Sequence, residues 1–144
     1  MAPGMSTSLY TTEILRLAAS LKEPQALDRE DGRAELHSPT CGSRVILSVQ
    51  LDDERRVERL AIQVHACAFG QASAALVERH GLGRSHDDVA RAMLGLSHWL
   101  AKEQEENGGW PGISALAPAR ARTARHGAIL LPFRALLAAM EASG

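Results

Sequence analysis

Apolar residues recur along this chain with two different periods, and the changes between them divide it into elements. Ile14, Leu15, Leu17 and Ala18 follow a pair of threonines, which predicts a short helix over Thr11–Ala19 with Thr11 or Thr12 as its N-cap. Lys22–Gly32 is charged, holds Pro24 and Asp31-Gly32, and reads as a loop. Val45, Leu47, Val49 and Leu51 then recur in steps of two, the period of a strand with one buried face. Arg33–His37 precedes this run across the turn-like Ser38–Gly42. Arg56–His65 follows it across the charged turn Asp52–Arg55, with Leu60, Ile62 and Val64 alternating again. Three short strands in an antiparallel meander are expected.

After Ala66-Cys67 the period becomes helical. Phe69, Ser73, Leu76, Val77 and His80 share a face, and Gly81 suits the C′ position. Ser85 stands three residues before Asp88 as an approximate capping box, and Val89, Met93, Leu96 and Leu100 carry a second helix to Lys102. Asn107–Gly112 is a turn. From Pro118 the chain reads as helical, interrupted at Pro132, which suits the first position of a last helix running to Met140. The fold class is α+β, a three-stranded antiparallel sheet packed against several helices on one face. Residues 1–9 are small and polar and read as a disordered tail, leaving 10–144 as a single domain.

Composition narrows the function. The 144 residues carry a net charge of −1, and the aromatic residues are Tyr10, Phe69, Trp99, Trp110 and Phe133 alone. That balance, and the lack of a base-stacking platform, argues against nucleic acid as a partner. The longest apolar run, Gly127–Phe133, is far short of the ~20 residues of a membrane span. The start has neither the basic residues nor the apolar core of a signal peptide. A cytoplasmic protein with two reduced thiols and no membrane association is expected. There is no Walker A loop, no GxGxxG and no CxxC pair, and Ser85-His86-Asp87 reads as an N-cap rather than a triad.

The thiols are the candidate chemistry. Cys41 falls on the hairpin between the first two strands, followed by Gly42. Cys67 ends the third strand and opens a helix of small residues, where free backbone N–H groups and the helix dipole favour the thiolate that attacks and binds metal. An incidental turn cysteine and a buried small hydrophobe are the plain alternatives. Meander topology brings both positions to one end of the sheet. His65 would share the face of Cys67 if the strand persisted, and His37 lies four residues before Cys41. Asn107–Met140 holds Arg120, Arg122, Arg125 and Arg134 and no acid. It reads as a solvated face or as a docking surface for an acidic partner.

Three segments carry a resemblance. Pro39-Thr40-Cys41-Gly42-Ser43 leads into a strand, as in a Pro-x-Cys-Gly-Asp motif. His65-Ala66-Cys67 runs into Ala72-Ser73-Ala74, as in Gly-Cys-x-x-x-x-Ala-Ser-x-Ser. Leu116–Arg125 followed by His126-Gly127-Ala128 and Ile129–Leu136 parallels a third region that ends in a cysteine and a helix. With Tyr10–Leu15 as an opening helix, the chain from Tyr10 to Met140 resembles the U-type iron–sulfur cluster assembly scaffolds: IscU, SufU and the N-terminal domain of NifU. The resemblance implies an IscU/SufU-like fold and a scaffold, not a classical enzyme. It implies a transient iron–sulfur cluster or iron held by Cys41 and Cys67, with zinc as the alternative metal, sulfur taken from a cysteine desulfurase, and transfer to acceptor proteins. The family's Asp position is Ser43 here, and its third cysteine position is Ala128, so further ligands are sought in His126, Ser43 and His65. His126 lies two residues before Ala128, about 200° around a helix, so a local adjustment would be needed. The alternatives are an adaptor that kept the scaffold fold without competent cluster binding, and a mononuclear zinc-binding sulfur-transfer protein.

Overall fold

The computed structural model describes residues 10–39 and 42–143. Residues 1–9, read above as a tail, lie outside the described residues. Helix α1, Thr12–Ala19, opens on Thr11, whose hydroxyl accepts from the Ile14 N–H at 3.1 Å and satisfies a first-turn donor. Strands β1 (Gly32–His37), β2 (Arg44–Leu51) and β3 (Val57–His65) form an antiparallel sheet in the order β1-β2-β3. Helices α2 (Ala68–His80), α3 (His86–Leu100) and α4 (His126–Ala142) follow, with 3₁₀ segments at Ile113–Ala121 and Thr123–Arg125 before α4. The α+β class read from periodicity is the observed one.

The sheet has one covered face. Val45, Leu47 and Val49 of β2 are fully buried, as the step-of-two pattern requires, and Ile62 of β3 joins them. α4 lies across β1 and β2, α2 packs on β3, and α1 lies against α2. α4 is buried almost all round, with Arg134 its exposed residue between Ala128 and Leu137. The Ser85–Asp88 capping box is complete, because the Ser85 hydroxyl accepts from the Asp88 N–H and the Asp88 carboxylate accepts from the Ser85 N–H.

Three boundaries differ from the sequence reading. α3 ends at Leu100, and Lys102 takes a left-handed φ of 62° instead of extending the helix. Gly81 caps α2 in helical geometry, φ −78°, rather than left-handed; a Cβ there would stand 2.5 Å from the Val77 carbonyl oxygen, so it is space that requires glycine. Pro132 does not start the last helix but lies inside it, six residues after His126. A proline in that position deprives the Ala128 carbonyl of its helical donor. The buried Ser73 hydroxyl of α2 donates to the next carbonyl, Ile129, at 2.6 Å, so the loosened turn is tied to its neighbour.

Candidate functional site

The β1–β2 hairpin is closed from both sides. The Ser38 N–H donates to the Ser43 carbonyl at 2.8 Å, and the Gly42 N–H donates to the Ser38 carbonyl at 2.9 Å. Gly42 holds φ +72°, a conformation that L side chains rarely adopt, so the turn requires glycine there. Thr40 and Cys41, between Pro39 and Gly42 in the chain, lie outside the described residues. His37 pairs with Arg44, and Arg44 pairs with His65. The hairpin and the last residue of β3 are therefore level, at one end of the sheet.

Two residues beyond His65 the backbone of Cys67 is extended (φ −67°, ψ 174°) and caps α2. Its carbonyl accepts from the Gln71 N–H at 2.9 Å, while the Gln71 amide donates to the Ala66 carbonyl at 2.9 Å, which fixes the turn into the helix. The thiol is free, half-buried against the core, and makes no capping hydrogen bond. Phe69, two residues on, packs its ring at 5.2 Å from that of Tyr10.

The start of α4 completes the arrangement. A Cβ on Gly127 would stand 3.2 Å from the Ser38 Oγ, so α4 touches the hairpin there. A Cβ on Gly70 would stand 3.3 Å from the Ala128 carbonyl oxygen and 3.4 Å from the Ala128 Cβ, so α4 also touches the first turn of α2. Gly70 is three residues after Cys67, on the same side of that turn. The small residues after Cys67 thus serve a close helix crossing. The Ser38–Ser43, Ala66–Gly70 and Gly127–Ala128 segments meet at one end of the sheet, and each belongs to one of the three motifs read from the sequence.

The further candidate ligands are placed less favourably. Ala128 is 1% exposed, a methyl group sealed against Gly70. Ser43 is buried at 3%. His126 is the first residue of α4, and its Nε2 lies 2.9 Å from the Ala119 carbonyl. A carbonyl only accepts, so Nε2 carries the proton and Nδ1 keeps the lone pair of the neutral ring. β3 stops at His65, so the condition for His65 to share the face of Cys67 is not met; its ring is exposed beside the Gln63 amide at 3.4 Å. The His37 ring is exposed and 3.4 Å from the Glu35 carboxylate. Among the described residues no three His, Cys, Asp or Glu side chains form a group able to hold a metal ion. The described residues alone therefore do not make the four-ligand shell of a closed zinc or iron–sulfur site.

The perturbed titrations lie elsewhere. Burial, then Arg79 and Arg84, pushes His80 down at the far end of α2. The Arg29 hydrogen bond, then the Leu51 N–H, holds Asp31 below the usual carboxylate range. The Ser85 N–H, with Arg56 adding, does the same for Asp88. Among the described residues no helix is long and apolar enough to cross a membrane.

No protein-family model matches the chain, and no curated protein matches it. Solved structures do. A NifU-like protein (N-terminal) from Brucella abortus, described as nitrogen-fixing, superposes with a TM-score of 0.82 at 28% identity, covering 95% of each chain. A structure described as a putative iron–sulfur cluster assembly scaffold protein for the SUF system from Fervidobacterium islandicum gives a TM-score of 0.81 at 20% identity, over 94% of this chain and 98% of that one. At that identity the second likeness speaks for the fold alone. Over nearly its whole length the chain shares the fold of the NifU-like domain, and its three motif segments stand in the order found in the U-type iron–sulfur cluster assembly scaffolds, the family that it resembles.

Proposed function

We propose that the protein works in iron–sulfur cluster assembly as a two-thiol scaffold. Cys67 and Cys41 hold iron or a nascent cluster as cargo and accept sulfur, with the remaining ligands supplied from outside the chain. The observation that carries this reading is the meeting of the hairpin, the Cys67 turn and the start of α4. The function enters through the resemblance of the motif segments to the U-type scaffolds and the likeness to the NifU-like domain. Sulfur acceptance is an exchange at sulfur. A thiolate of this chain attacks the outer sulfur of a donor cysteine persulfide, the donor's S–S bond breaks, the donor leaves as thiolate, and the new persulfide remains here. No net electrons are consumed. A cysteine desulfurase is the donor class, and apo iron–sulfur proteins are the acceptors. Two thiolates leave open positions on any metal, so the cargo is labile and easily handed on.

Anaerobic reconstitution with iron and sulfide tests the reading. The parent is expected to gain charge-transfer absorbance and bound iron that a chelator strips readily. Cys67→Ser and Cys41→Ser should each lose both. The sealed methyl of Ala128 favours a second reading, an adaptor that kept the fold but lost cargo. Iron content in the parent no higher than in Cys67→Ser would select it.

A further inference from the structure

The chain's charge is unevenly distributed around this site. Its net charge is −1, yet Asn107–Met140 carries four arginines and no acid. Most arginines elsewhere are engaged: Arg29, Arg33, Arg44, Arg56, Arg59 and Arg91 face carboxylates. Within the basic segment Arg120 is engaged as well. It donates to the Trp99 carbonyl at 2.8 Å and lies 3.6 Å from Glu105. Arg122 and Arg125 have no acidic partner among the described residues, and Arg122 is exposed. The Arg125 N–H donates to the Arg122 carbonyl at 2.8 Å. That i to i+3 bond closes the short turn that carries both residues, with Arg122 capping the 3₁₀ segment Thr123–Arg125. The turn runs directly into α4, whose first turn has neither an acidic residue nor a side-chain cap, so the positive end of a 17-residue helix adds to the same field. Two residues beyond Arg125, Gly127 touches the hairpin, and the next residue, Ala128, touches the Cys67 helix.

We propose that the Arg122–Arg125 turn is the docking surface for an acidic protein, held there by charge and presented to the thiol end of the sheet. Two unpaired guanidiniums suit a partner face with clustered carboxylates, each able to accept a bidentate pair. The patch is local. The chain as a whole is slightly acidic and holds few aromatics, so an extended polyanion such as duplex DNA meets repulsion beyond the patch and no stacking platform within it. This inference goes beyond the cargo reading, since it rests on the placement of charge and not on the binding of iron.

The test uses the full chain and a fluorescent peptide of alternating Glu and Gly as the acidic probe, read by anisotropy over a salt series. Binding that weakens steeply with salt is expected, with affinity reduced by about tenfold or more in Arg122→Glu/Arg125→Glu. Arg16→Glu, an exposed arginine on α1 with no acidic partner among the described residues, carries half the double variant's change of overall charge and should stay within about twofold of the parent. Cys67→Ser should bind the peptide like the parent, so a failure of iron binding and a failure of docking are separately visible. Circular dichroism melts confirm that each variant is folded. Equal losses in Arg16→Glu and the double variant, no binding by the parent, or tighter binding of duplex DNA or anionic vesicles than of the peptide at the same turn would each overturn the proposal.

Discussion

Restoring a thiol at the sealed position is the most informative single perturbation. In Ala128→Cys a sulfur must enter a place that is 1% exposed, beside Gly70, one turn into the helix that Cys67 caps. Over-packing of this kind costs about 1–3 kcal/mol. In a chain of this length each kcal/mol moves Tm by roughly 4 °C, so the metal-free variant should melt some 4–12 °C below the parent. Zinc is the suitable probe because it has no redox chemistry and favours four ligands. With a third thiolate beside Cys67, free zinc at a hundredfold excess over Kd adds about 2.7 kcal/mol, which raises the variant's Tm by roughly 11 °C. The parent, with open positions, should shift by no more than about 2 °C under the same zinc. The assay is thermal melting of both proteins in zinc and in EDTA. A lowered metal-free Tm with no zinc response would show that position 128 does not border the thiol site, and the common-site reasoning would fail with it.

Three further expectations follow from individual contacts. His126→Ala removes the hydrogen bond to Ala119 and should cost about 1 kcal/mol in denaturant unfolding while leaving iron content unchanged; a tenfold loss of iron would instead assign Nδ1 to the metal. Ser73→Ala removes the buried hydroxyl that donates to the Ile129 carbonyl and should cost about 1 kcal/mol, more than Ser→Ala at the exposed Ser114. His80 is depressed chiefly by burial, so its neutral form stabilises the fold fully above the ordinary histidine range, and that contribution is lost as pH falls through the lowered value. His80→Gln should therefore flatten the fall in stability below about pH 6.5, and an unchanged pH profile would contradict the assignment.

The strands and most helices could be read from the chain because their apolar periods are clean: Val45, Leu47 and Val49 are all buried, and Ser85 and Asp88 form the capping box. The segment before α4 resisted. Ile113–Ala121 is 3₁₀, built from small residues with little periodicity, and Pro132 resembles a helix start when its neighbours in space are unknown. Only the structure reveals Ser73 bonding the loosened turn. At the site, topology brought the hairpin and Cys67 to one end of the sheet, and the small residues after Cys67 signalled a close packing. That the partner is Ala128 itself, and that His126 spends its Nε2 on Ala119, depends on tertiary contacts that no local pattern carries.

The claim that Cys67 and Cys41 hold one cargo is tested by alkylation of the parent protein at neutral pH, with and without ferrous iron under anaerobic conditions, each thiol followed by peptide mass spectrometry. Without iron both should react, Cys67 faster because it caps α2. With iron both should be protected together, and a chelator should restore both rates. Protection of one thiol without the other, or rates at Cys67 that iron leaves unchanged, would contradict a shared two-thiol site.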